Sequence, residues 1–152
     1  MPEHDAATTR ALAKIDDLPL GRILDKAARN HGWNPRRAER AELWYKRFLK
    51  LCFLNRREPI GALSRDADEL WHQHLLDSPV YRRDSQRLFR HYLDHDPRYG
   101  RATPADTAIF RRSVQLYVQE YGKPPPDAVN PCTRIPTKGP GGPVGPAGKP
   151  KT

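Results

Sequence analysis

An all-α fold is predicted: a compact bundle of about five helices followed by a disordered Pro/Gly-rich C-terminal tail. Three observations point to it. Apolar residues recur every three to four positions, the period of one helix face. No segment alternates apolar and polar residues over the length of a strand, and β-branched residues are sparse. Pro and Gly fall where helices begin and end rather than inside the periodic stretches.

Residues 1–17 read as an N-terminal extension. A first helix is expected from Leu18 to His31, with Pro19 in its first turn and Gly32 at its end. The second and longest runs from Pro35 to Asn55. Asn34 suits its N-cap, and Ala41, Trp44, Tyr45, Phe48, Leu51 and Cys52 make one buried stripe before Pro59 forbids continuation. A third is expected from Ser64 to Leu75, with Asp66 and Asp68 in the first turn, where carboxylates favour the positive end of the helix dipole. The fourth opens at Ser78-Pro79 and is expected to reach Asp94, with Leu88, Phe89 and Tyr92 on its apolar face. The fifth opens at Thr103-Pro104 with Asp106 in a capping-box arrangement. It carries Phe110, Val114, Tyr117 and Tyr121 and stops at Gly122. The helical domain is thus assigned to 18–122.

Residues 123–152 hold nine Pro and five Gly and no aromatic residue. Pro lacks a backbone donor and Gly costs entropy to order, so this basic tail is expected to stay disordered. The whole chain of 152 residues carries a formal +9 charge. No run approaches the ~20 apolar residues that span a bilayer, so a membrane partner is not expected. The start Met1-Pro2-Glu3-His4-Asp5 has neither the basic nor the apolar part of a secretory signal. Cys52 and Cys132 form no Cys-x-x-Cys pair. A cytoplasmic protein with reduced thiols is the expectation. Phosphate-binding glycine loops and a Gly-x-Ser-x-Gly elbow are both absent from the sequence, which argues against nucleotide-driven and serine-hydrolase chemistry.

Chemistry concentrates in residues 66–99, which contain four of the six histidines: His72, His74, His91 and His95. Imidazole and carboxylate are the common ligands of zinc, iron and manganese. Asp68 and His72 are four apart, as are His91 and His95, so each pair shares a helix face. Asp84 falls within roughly 20° of the His91/His95 stripe at 100° per residue. His72 and His74 are two apart and diverge. If the third and fourth helices form an antiparallel hairpin, one divalent metal would be held by His72, His91 and His95 with Asp68 or Asp84. His74 would then serve as an outer group or general base. The competing reading makes these side chains a structural hydrogen-bonded cluster within a non-enzymatic interaction module.

Asp66-Ala67-Asp68-Glu69-Leu70-Trp71-His72-Gln73-His74-Leu75-Leu76-Asp77 resembles the Asp-x-Asp-x-x-Trp-His-x-His-x-Leu-Asp signature of the glycine-rich domain-containing protein family. Tyr81, Asp84, Leu88-Phe89, Leu93, His95, Pro97 and Gly100 continue the pattern, so the likeness covers about residues 43–101. Two positions depart from it. Asp84-Ser85 stands where the family usually has Asp-Cys, and Asp94-His95-Asp96-Pro97 where it often has His-His-x-Pro. The resemblance implies a shared helical domain and marks Asp68, His72, His74, Asp84 and His95. It implies no reaction, because the family has no established activity. His91 rests on spacing alone.

Arg36, Arg40, Arg47 and Lys50 fall within roughly 80° of one another on the second helix, opposite much of its apolar stripe. Such a basic face suits an acidic protein or a nucleic acid. Trp33, Trp44, Tyr45, Phe48, Trp71, Tyr81 and Tyr92 read as packing residues, and Cys52 as a small buried apolar one.

Overall fold

Local chemistry sets where each element begins. Four helices start behind a side chain that accepts a hydrogen bond from a free backbone N–H of the first turn: Asp5, Asn34, Ser64 and Thr103. The computed structural model describes residues 2–95 and 103–124. Its helices are α1 (Ala6–Asp16), α2 (Gly21–His31), α3 (Pro35–Leu54), α4 (Arg65–Leu76), α5 (Ser78–Phe89) and α6 (Pro104–Tyr121). The fold is all-α, with no strand among the described residues. None of these helices is long and apolar enough to cross a membrane. Apart from Lys123 and Pro124, the tail assigned to 123–152 lies outside the described residues, as does Cys132.

Three boundaries differ from the sequence reading. The stretch expected as an extension carries α1, capped by Asp5, which accepts from the Thr8 N–H at 2.7 Å. Its Ile15 is fully buried and Leu12 packs against the same core. α2 begins at Gly21 rather than Leu18; Leu18 and Leu20 are instead buried in the connection. α5 stops at Phe89 rather than Asp94, because Arg90 takes the left-handed conformation, φ 63°. Residues 91–95 therefore leave the helix, and the His91/His95 pair does not share a helix face.

α4 lies against α3, α2 and α5, and α1 lies against α3. The main core gathers Ile15, Leu20, Ala27, Tyr45, Phe48, Leu49, Leu70, Trp71, Tyr81 and Phe89. A smaller cluster of Leu51, Leu63 and Tyr117 joins α6 to α3. Arg37 clamps α3 to α4 through two hydrogen bonds to the buried Asp66 carboxylate, at 2.7 and 3.0 Å. Bidentate guanidinium–carboxylate pairing of this kind fixes orientation as well as distance.

Candidate metal centre

The middle of α4 and the segment after α5 meet at three side chains. Asp68 and His72 stand one turn apart on α4. His95 comes from the non-helical chain beyond Arg90 and turns its Nε2 back towards them. That nitrogen lies 2.9 Å from His72 Nε2 and 3.3 Å from Asp68 Oδ1. His72 Nε2 lies 3.4 Å from Asp68 Oδ2. Three potential ligand atoms thus converge within 4.8 Å of one another, all on half-buried residues.

These spacings fit a metal polyhedron. Two donors each about 2.1 Å from an ion lie about 3.0 Å apart at a right angle and about 3.4 Å apart at the tetrahedral angle.

Surrounding residues hold this geometry. On its other side, His72 Nδ1 faces the Glu69 carboxylate at 3.8 Å, and the same carboxylate pairs with His31 Nε2 at 3.2 Å. Glu69, together with the charge of Asp68, keeps His72 protonated above the ordinary histidine range, against the effect of burial. The interaction with His72 in turn holds the Glu69 carboxyl below its usual value. A carboxylate behind a ligating imidazole is a common way to orient the ring and strengthen it as a donor.

His95 is fixed differently. Its ring packs on Trp71, centroids 4.2 Å apart. The Trp71 indole N–H donates to the Tyr81 hydroxyl at 2.9 Å, and that hydroxyl donates to the Leu93 carbonyl. Burial pushes the Tyr81 phenol up to about 12, so it remains a donor. α4 and α5 together thus pin the backbone two residues before His95.

His74 and Asp84 form a separate, buried site. A carboxylate only accepts, so His74 Nε2 carries the proton and donates to Asp84 Oδ2 at 2.9 Å. His74 Nδ1 then accepts from the Tyr45 hydroxyl at 2.7 Å. The other Asp84 oxygen takes the Arg83 guanidinium at 3.2 Å. His74 has a side chain only 2% exposed, and both of its nitrogens are engaged. Burial holds it below the ordinary histidine value despite the pull of Asp84. His91 donates from Nδ1 to the Phe89 carbonyl at 3.0 Å, stabilising the turn after α5. Of the six residues assigned to the metal centre, the structure therefore converges three. His74 and Asp84 pair elsewhere, and His91 stays outside the cluster. Glu69 and the Trp71–Tyr81 tether were not anticipated. Glu69 lies three residues before His72, and that spacing was the available signal.

The Asp68–His72–His95 cluster opens onto a cavity of ≈ 390 Å³, walled by Phe48, Trp71, Phe89 and Ile60. That falls within the range of small-molecule sites. Cys52 also faces it, but burial raises its thiol well above the ordinary value, so it remains protonated and a poor ligand.

The basic stripe of α3 is divided. Arg47 donates to the Tyr117 hydroxyl at 3.0 Å and lies over the Tyr121 ring at 4.6 Å. Lys50 pairs with Asp16 at 2.6 Å. These two join α3 to α6 and α1, which leaves Arg36 and Arg40 as the exposed members. Compared with known proteins, the chain matches no family model, no curated protein and no solved structure at a significant level.

Proposed function

We propose that this protein binds one divalent transition metal through a carboxylate oxygen of Asp68 and the Nε2 atoms of His72 and His95. The observation that carries the reading is the convergence of one potential ligand atom from each residue within 4.8 Å, with the two imidazole nitrogens 2.9 Å apart and the Asp68 carboxylate 3.3 Å from one and 3.4 Å from the other through its two oxygens. Two imidazoles and one carboxylate, with further positions open, form a set used by catalytic zinc and by non-haem iron. Manganese is the third candidate. A bound ion would supply Lewis acidity towards water or a substrate oxygen in the cavity. The chain's own residues orient the ligands: Glu69 behind His72, and Trp71 with Tyr81 behind His95. The likeness to the glycine-rich domain-containing protein family supports the same positions, since Asp68, His72 and His95 all belong to its pattern.

Elemental analysis of untagged protein tests the reading. Near one equivalent of zinc, iron or manganese is expected, and it should be lost in Asp68→Ala, His72→Ala and His95→Ala. His91→Ala should retain it. Failure to take up any of the three ions after incubation, with the fold intact by circular dichroism, overturns the proposal.

A further inference from the structure

Resting on the metal reading, we infer that the cavity beside the cluster receives a small monocarboxylate with an apolar, ring-sized body. The ligand's carboxylate meets Arg56 and its other end points at the metal. Three observations carry this.

The cavity has a direction. Trp71 packs on His95 at 4.2 Å, and Phe48 packs on Trp71 at 4.6 Å. Phe48 therefore marks the metal end. Cys52 near the end of α3, Asn55 at its C-cap and Arg56 just beyond follow it in the chain, and all line the same space. Leu54, the last residue of α3, is six positions beyond Phe48, so the helix carries this wall about 9 Å towards Arg56. Phe48 and Cys52, four apart, share one face of α3.

The walls are apolar between two polar ends. Phe89, Leu93, Ile60 and Ile109 join Phe48 and Trp71 in the cavity's apolar lining. A ligand that is polar throughout would leave its own groups unpaired there, at a cost.

The far end offers a cation. Arg56 rests on the Phe53 ring at 4.3 Å and makes no ion pair with any described residue. Glu58, nearby on the rim, is already paired with Arg112. Asp94 is exposed. With a divalent ion in place, its charges and that of Arg56 outnumber those of Asp68 and Asp94. The cavity then favours an anion, and a guanidinium matches a carboxylate in shape.

Cobalt(II) serves as the probe ion, because its visible bands report changes in its coordination. The full chain is loaded with cobalt and titrated with 3-phenylpropionate, 3-phenyl-1-propanol and acetate. The acid is expected to shift the cobalt spectrum at concentrations at least about tenfold below those needed for the alcohol or acetate, the size expected for one charge-assisted contact or one buried ring. Arg56→Gln should bind cobalt as the parent does and lose about tenfold of the response to the acid. Equal responses to acid and alcohol, or an unchanged response in Arg56→Gln, overturn this inference and leave the metal site standing. Absence of cobalt uptake overturns the metal reading, and this inference falls with it.

Discussion

At the scale of single residues, two histidines two positions apart do opposite work. His72 reaches the half-exposed cluster, whereas His74 is closed between Tyr45 and Asp84. Their divergence was legible from a spacing of two on a helix. Which of them faces the core was not, because that depends on what α3 and α5 place around α4. His74→Ala removes the N–H that Asp84 Oδ2 accepts and leaves Arg83 as the partner of the other oxygen, and a loss of about 2–3 kcal/mol is expected by urea denaturation. The same group predicts a pH dependence. Its folded value lies below the ordinary one near 6.5, so the unfolded chain binds the extra proton first. The contribution of neutral His74 is therefore complete above about pH 6.5 and declines as pH falls below it. His72, whose value is raised, has the opposite sign: its contribution is present below that value and lost as pH rises. Comparing parent and His74→Gln between pH 7.5 and 5.5 isolates the first effect. The parent should lose stability more steeply on acidification.

At the scale of elements, caps were readable and stops were not. Asn34 and the Thr103/Asp106 box cap the helices for which the sequence offered them, and Ser64, expected to open a helix, is its N-cap. The end of α5 had no such mark. Neither Gly nor Pro occurs between Pro79 and Pro97, and the left-handed turn falls on Arg90, a residue with no preference for it. That early stop changes the candidate site most. It removes His91 and His95 from a common helix face and delivers His95 as part of a tethered segment. α1 was missed for a different reason. Its interior is rich in Ala, Thr and charged residues, and its deeply buried member is Ile15, too little to register as a periodic stripe. Burial of Ile15 predicts a cost of about 2–4 kcal/mol for Ile15→Ala, read as a lowered denaturation midpoint. A detachable extension would show no change.

At the scale of the whole molecule, α4 is the shared wall of both polar sites. Through its one face it meets α3 and α5 at His74, and through another it meets the chain beyond α5 at Asp68 and His72. A metal held there links residues 68 and 95, tying the segment after α5 to the helix that the core is built on. Ligand binding to the folded state alone stabilises it by mass action, about 2.7 kcal/mol when free metal is a hundredfold above its dissociation constant. Adding zinc to metal-free protein should therefore raise the melting midpoint by several degrees. The rise should vanish in Asp68→Ala/His95→Ala. A chain whose histidines serve only packing would melt at the same temperature with or without the ion.

The unequal origin of the three ligands also bears on how quickly an ion comes and goes. Asp68 and His72 ride on a helix and stay in register whether or not anything is bound. His95 arrives on a short stretch of chain held by one tyrosine hydroxyl and one indole face. In the proposed metal centre, capture would begin on that helical pair and finish with the His95 imidazole. Departure would retrace that step without unwinding a turn of helix. In the proposed centre, loading and release would thus ask for movement of His95 and the segment that carries it, and for none in α4.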